Sequence, residues 1–207
     1  MIYHPYLQVY KEVFKLRIVK TNRKTKEVDI DLELNIDGQG KADVKTGIKF
    51  LDHMLITLAK HGLFNLKVKA SGDLTHHISE DVALVLGEAL DKAKNKGKGI
   101  KRFGSAYVPM DESLARVTID LGGRPYVIRN LRLMQTQIED LKTEDIEHFF
   151  DSLAQSSKAN IHITVLYGSN EHHKIEAAVK ALAIAFREAY EIEPRIRDEI
   201  PSAKGVL

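Results

Sequence analysis

The segment Gly72-Asp-Leu-Thr-His-His-Ile-Ser-Glu80 returns 96 residues later as Gly168-Ser-Asn-Glu-His-His-Lys-Ile-Glu176. Two further segments return in the same order. His53-Met-Leu-Ile-Thr-Leu-Ala59 corresponds to His148-Phe-Phe-Asp-Ser-Leu-Ala154 at an offset of 95 residues, and Val28-Asp-Ile-Asp-Leu32 corresponds to Val117-Thr-Ile-Asp-Leu121 at an offset of 89. Three repeated segments at nearly one spacing indicate that the chain is a duplicated unit of about 90 residues.

The hydrophobic pattern predicts the same order of elements in each copy. Alternation of apolar and polar residues predicts strands over 28–36, 64–70, 117–121 and 160–166, with others near 126–128 and at the start of each copy. Helical spacing predicts helices over 50–60, 76–93, 146–154 and 172–191. We therefore predict an α+β fold of two similar half-domains, each a mixed β-sheet backed by α-helices.

Composition excludes several classes of function. The 207 residues include no cysteine, which excludes disulfides, thiolate nucleophiles, iron–sulfur clusters and cysteine-bound zinc. Lys and Arg number 31 against 29 Asp and Glu, so the charge gives no indication of nucleic-acid binding. No run approaches the ~20 apolar residues of a membrane span, and the N-terminus does not resemble a signal peptide. We expect a cytoplasmic protein without a membrane or nucleic-acid partner.

The repeated His and Glu residues indicate metal binding. On a helix, the Glu of His-His-x-x-Glu lies four residues after the first His and three after the second, so either His can share a face with it. Neighbouring His side chains point about 100° apart, so each pair is expected to serve two different ions. Such residues at matching positions of two copies are rarely explained as core. The candidate ligands are His53, His76, His77, Glu80, His148, His172, His173 and Glu176.

These ligands suffice for two sites, each with three imidazoles and one carboxylate. Such a donor set suits a borderline divalent ion such as Mn, Fe, Co, Ni or Zn. Basic and hydroxyl side chains in loops and at the C-terminus add a possible binding site for an anionic phosphate, although each alone is more typical of surface charge. These residues are Arg102, Arg124, Lys180, Ser202 and Lys204.

The motifs resemble those of the imidazoleglycerol-phosphate dehydratase family in its monofunctional form. The matching segments are residues 23–29, 50–55, 72–81, 102–104, 108–111, 120–125, 147–150, 168–177 and 202–207. The resemblance begins near residue 20, which implies a segment 1–18 outside the match. Residues 19–207 would then form a single dehydratase domain made of two repeats, about 19–106 and 107–207, with a ribosomal protein S5 domain 2-like fold.

The resemblance also implies a reaction and an assembly. It implies a lyase of histidine biosynthesis that dehydrates imidazole glycerol phosphate to imidazole acetol phosphate with two Mn²⁺ ions per subunit. It implies a homo-oligomer of about 24 subunits, built from trimers, with active sites between subunits. By the same resemblance, one ion would take His76, His148, His172 and Glu176, and the other His53, His77, Glu80 and His173.

The remaining functional residues follow from the same resemblance. Glu27 and Glu176 are candidates for the general base, and Glu27 is favoured because it is not a metal ligand. Glu27 and Lys180 are also expected at the substrate. Arg102, Arg124, Ser202 and Lys204 resemble a clamp for the substrate phosphate.

Two other classes of function remain open from the residues alone. A metal-buffering protein would explain the eight ligands but not the accompanying Glu27, arginines and Ser/Lys tail. A dimetal phosphohydrolase is disfavoured because that class usually bridges its ions with more carboxylates than these motifs contain.

Overall fold

The computed structural model describes residues 17–207, which form two four-stranded sheets with helices between them and one two-stranded hairpin. The predicted segment 1–18 therefore lies outside the described residues, except for Arg17 and Ile18. The first half consists of β1 Ile18–Lys24, β2 Val28–Asn35, β3 Ala42–Lys45, α1 Lys49–Gly62, β4 Asn65–Gly72 and α2 Thr75–Ala93.

The second half repeats this order with one addition. It consists of β5 Phe103–Met110, β6 Ser113–Asp120, β7 Tyr126–Asn130, the short pair β8 Gln137–Ile138 and β9 Leu141–Lys142, α3 Thr143–Ser157, β10 Asn160–Tyr167 and α4 Glu171–Tyr190. The β8–β9 hairpin has no equivalent among the first-half elements. Its two-residue turn is Glu139 and Asp140.

The two sheets have the same topology, which confirms the predicted fold class. The strand orders are β1-β2-β4-β3 and β5-β6-β10-β7. In each sheet the first three strands are antiparallel neighbours and the fourth is parallel to the third. The predicted division near residue 106 falls inside β5, which pairs with β6, so the second sheet begins at Phe103.

Alternation along the strands explains how the sheets bury one face. In β2, Val28, Ile30, Leu32 and Leu34 are buried, whereas the intervening side chains are partly or fully exposed. Helices α1 and α2 pack on the first sheet, and α3 and α4 pack on the second. The two helical layers then pack on each other, α2 against α3 and α1 against α4. The duplicated halves therefore share one hydrophobic core.

The repeated motifs lie at the starts of two helices. The two His-His-x-x-Glu motifs lie in the first turns of α2 and α4. Asp140 of the β8–β9 turn accepts hydrogen bonds from the backbone N–H groups of Lys49 and Phe50, at 2.7 and 2.9 Å. A second-half residue thus caps the helix that carries His53, which fixes α1 against the start of α4.

Candidate metal half-sites

One cluster of ligands, half-site I, consists of His76 and Glu80 on α2 and His148 on α3. A ligand atom from each lies within 4.8 Å of the others. The Nε2 atoms of His76 and His148 each lie 3.7 Å from an oxygen of Glu80. The Nδ1 atom of His76 lies 2.7 Å from Oδ1 of the buried Asp145. The imidazole is therefore held on one nitrogen while the other faces the cluster.

A second cluster, half-site II, consists of His53 on α1 with His172 and Glu176 on α4. The Nε2 atoms of His53 and His172 lie 3.0 and 3.2 Å from Oε2 of Glu176. Lys180, one turn later, places its Nζ 2.7 Å from the other oxygen of Glu176. Burial alone would raise the pKa of Glu176, but hydrogen bonds from Lys180 and His53 outweigh it and lower the pKa to about 2.

The second histidine of each His-His-x-x-Glu motif lies outside the cluster that contains the first histidine of that motif. The Nδ1 atom of His77 is 2.7 Å from Oδ1 of Asp73, and the Nδ1 atom of His173 is 2.7 Å from Oε2 of Glu112. These hydrogen bonds raise the pKa of both imidazoles. The separation agrees with the predicted angle between neighbouring helical side chains.

Within one chain the candidate ligands group differently from the division expected for the two ions, which stays a prediction because it draws ligands from more than one copy of the chain. That division placed Glu80 with His53 and placed Glu176 with His76 and His148. In the single chain Glu80 lies with His76 and His148, while Glu176 lies with His53. The physical reason is helix packing, since α2 packs on α3 and α1 packs on α4.

Both half-sites fit a divalent transition metal. Each offers two imidazoles and one carboxylate, which suits a borderline divalent ion. His76 and His172 each have a carboxylate at the other ring nitrogen, from Asp145 and from Glu139 at 3.1 Å. Metal-binding histidines usually have such a partner, which orients the ring.

The proposed base lies near His77. Glu27 is in the β1–β2 turn, and its carbonyl accepts a hydrogen bond from the Asp73 N–H at 3.0 Å. Its charge helps to raise the pKa of His77, after the larger effect of Asp73. The corresponding β5–β6 turn carries Glu112, which contacts His173. The two turns are thus placed alike relative to the second histidine of each motif.

The predicted phosphate-binding residues gather at the opposite end of the helices. Arg102 donates two hydrogen bonds to Asp120 and one to the carbonyl of Pro201, so it holds the C-terminal tail. Leu207 packs where a Cβ at Gly123 (φ +79°) would clash, so the tail also lies beside the turn that precedes Arg124. Arg124 is exposed and makes no ion pair among the residues that the structure describes. Ser202 and Lys204 follow within the tail.

These residues are too far from the half-sites of their own chain to share one small ligand with them. The Arg102 N–H donates to the carbonyl of Ala189, near the end of α4. Glu176 is near the start of that helix, roughly 20 Å away at ~1.5 Å per residue. Of the predicted substrate residues, Lys180 and Glu27 lie near the histidines, and the phosphate residues do not.

Sequence reasoning missed the carboxylates that hold the histidine rings. These are Asp73, Glu112, Glu139 and Asp145. Asp73 precedes His77 by four residues in the sequence, a spacing that would have indicated contact on a helix. The other three approach their histidines through tertiary packing, which no local spacing indicates.

The chain is similar in sequence to a known family of enzymes. The imidazoleglycerol-phosphate dehydratase family model matches residues 46–186. The chain is 51% identical over 195 residues to an imidazoleglycerol-phosphate dehydratase of Caldanaerobacter subterraneus and 49% identical to one of Methanosarcina mazei, each covering 93% of this chain and 100% of the relative.

Solved structures give the same result. The Staphylococcus aureus imidazoleglycerol-phosphate dehydratase has a TM-score of 0.78 at 34% identity, covering 85% of this chain and 99% of the other. The Pyrococcus furiosus enzyme has a TM-score of 0.77 at 36% identity, covering 90% and 100%. The chain therefore belongs to the imidazoleglycerol-phosphate dehydratase family.

Proposed function

We propose that this dehydratase of histidine biosynthesis works with two divalent metal ions, Mn²⁺ in the first instance, held between copies of the chain. The observation that carries the proposal is the pair of half-sites I and II, each with two imidazoles and one carboxylate at matching positions of the duplication. Each half-site would gain a fourth ligand from His77 or His173 of another copy. Those two rings lie outside the clusters of their own chain.

The location of the phosphate residues supports an active site between copies. Arg102, Arg124, Ser202 and Lys204 lie at the far end of α4 from Glu176, so one chain cannot offer both ends of the site to one small substrate. Arg, Lys and hydroxyl groups suit a phosphate dianion. We infer that one copy binds the phosphate while others bind the imidazole end. The predicted 24 subunits built from trimers, and a cytoplasmic location, stay predictions.

Each chain would contribute defined groups to the dehydration. A bound divalent ion supplies a Lewis acid for the imidazole nitrogens and a template for orientation. Glu27 is proposed to accept the proton of the carbon next to the ring, since it lies beside His77 and outside the half-sites. Lys180 hydrogen-bonds Glu176 and would hold that carboxylate, the second candidate base, ionised. Residues 19–207 would act as one domain of two repeats.

The test is reaction of the Mn²⁺-loaded protein with imidazole glycerol phosphate. Formation of imidazole acetol phosphate, lost with a chelator and restored by Mn²⁺, supports the proposal. Release of inorganic phosphate would indicate a phosphohydrolase, and no product with metal bound would indicate a metal-buffering protein. Light scattering on the same samples tests the assembly, because a metal shared between copies adds its binding energy to association.

No helix among residues 17–207 is both long and apolar enough to cross a membrane.

A further inference from the structure

Glu112, in the turn between β5 and β6, has no role in the function proposed above. It closes a two-residue hairpin, because Met110 pairs with Ser113. Asp111, the other turn residue, has φ of +47°, which a short polar residue tolerates better than most. So tight a turn fixes where the Glu112 side chain begins.

Each carboxylate oxygen of Glu112 has a different set of partners. Oε1 accepts hydrogen bonds from the backbone N–H groups of Ser169 and Asn170, at 3.1 and 2.8 Å. The Ser113 hydroxyl donates to the same oxygen at 2.9 Å. Oε2 lies 2.7 Å from Nδ1 of His173. Glu112 thus joins the turn, the loop before α4 and the ring of His173.

These contacts determine which ring nitrogen of His173 is free to bind a metal ion. A carboxylate can only accept hydrogen bonds, so Nδ1 of His173 must be the donor. The neutral ring then carries its lone pair on Nε2, the atom that a metal would need. The backbone N–H of His173 also donates to the Asn170 side chain at 3.1 Å, so ring and backbone are both held.

We propose that Glu112 is a positioning residue that presents Nε2 of His173 to a metal ion held by another copy of the chain. This inference rests on the proposed function, since it needs a metal ion at the half-sites. In the first half, Asp73 contacts His77 in the same manner.

The test is Glu112→Gln, which keeps the size of the side chain. Its carbonyl can still accept the two backbone N–H groups, but its NH₂ would then face Nδ1 and favour the ring form with hydrogen on Nε2. Binding of Mn²⁺ is measured from the electron paramagnetic resonance signal of the free ion, and assembly is measured by light scattering. We expect one of the two ions to bind about 10–100-fold more weakly, as for other residues that orient a ligand. The melting temperature of the metal-free protein should not change.

A double-mutant cycle with His173→Ala separates positioning from a general structural role. If Glu112 acts through His173, Glu112→Gln adds no further loss of affinity in the His173→Ala background. Glu88→Gln is the matched control, because Glu88 is a surface residue whose ion pair is with Lys92.

Additive losses, loss of both ions, a lowered melting temperature, or wild-type affinity in Glu112→Gln would each overturn the inference. A wild-type protein that binds no Mn²⁺ would instead reject the proposed function.

Discussion

Half-sites I and II have the same ligands but different surroundings. In each, a glutamate and a histidine one turn apart on a helix meet a histidine from a neighbouring helix. At half-site II, Glu176 is hydrogen-bonded by Lys180. The residue at the equivalent spacing after Glu80 is Leu84, and no Lys or Arg pairs with Glu80 among residues 17–207.

The carboxylates behind the rings differ as well. Asp145 behind His76 has a side chain only 3% exposed, whereas Glu139 behind His172 is 60% exposed. A nearby cation repels a metal ion, and a solvated partner orients a ring less strongly. The two half-sites therefore place the same types of candidate ligand in different environments, and we expect half-site I to bind its ion more tightly.

The largest expected effect on metal binding comes from replacing the glutamate of either half-site, Glu80 or Glu176. Glu80→Gln and Glu176→Gln should each lose one ion per chain and abolish dehydration, with affinity falling by more than the ~100-fold upper range for outer partners. Metal analysis of the purified variants by mass spectrometry checks this. Retention of both ions in either variant would remove that glutamate from the ligands. Glu88→Gln should keep both ions.

Glu27→Gln should lower turnover while leaving both half-sites intact. Loss of a general base typically costs about 10²–10⁴-fold in rate. Steady-state kinetics with metal analysis and light scattering on the same preparation provide the measurement. Turnover near that of the wild type would transfer the role to another group, with Glu176 as the next candidate.

The carboxylates behind the rings should matter unequally. Asp145→Asn is expected to weaken the binding of the ion at half-site I about 10–100-fold, because the neutral amide oxygen is a weaker acceptor for the Nδ1–H of His76 than the buried carboxylate. Glu139→Gln should have a smaller effect on half-site II, since Glu139 is solvated. Titration of each variant with Mn²⁺ compares the two. Equal losses would contradict the difference inferred between the half-sites.

The smallest effect on metal affinity should come from exchanging the residues four positions after each glutamate, Lys180 after Glu176 and Leu84 after Glu80. Lys180→Leu should strengthen metal binding at half-site II by about two- to tenfold, and Leu84→Lys should weaken half-site I by a similar factor, as for partly exposed charges. Turnover of Lys180→Leu should nevertheless fall if Lys180 also contacts the substrate. If metal affinity is unchanged in both variants, the cation does not distinguish the half-sites.

Sequence periodicity predicted the elements that carry the ligands, but not how the ligands combine. The helices with His53, His76, His148 and His172 have clear apolar faces, and neighbouring histidines diverge as helical geometry requires. Which helices pack together depends on the whole core, so local patterns could not predict that Glu80 lies with His148 and Glu176 with His53 within one chain. Strand β5 was expected at the start of the second copy, but its bounds were not predicted. It contains Gly104 and Pro109, which an edge strand tolerates and which interrupt the alternating pattern.

The position of His77 and His173 outside the half-sites of their own chain would limit the shape of the proposed metal-linked assembly. In that assembly each chain has two half-sites that each need a fourth ligand, and two histidines, His77 and His173, that can supply one to another copy. The numbers match within each chain, but every half-site is completed only when the copies form a closed assembly, because an open chain of copies leaves unmatched half-sites and histidines at its ends. Metal binding would therefore favour closed assemblies over filaments. A copy that lacks His77 or His173 would leave a neighbouring half-site incomplete and interrupt assembly at that contact.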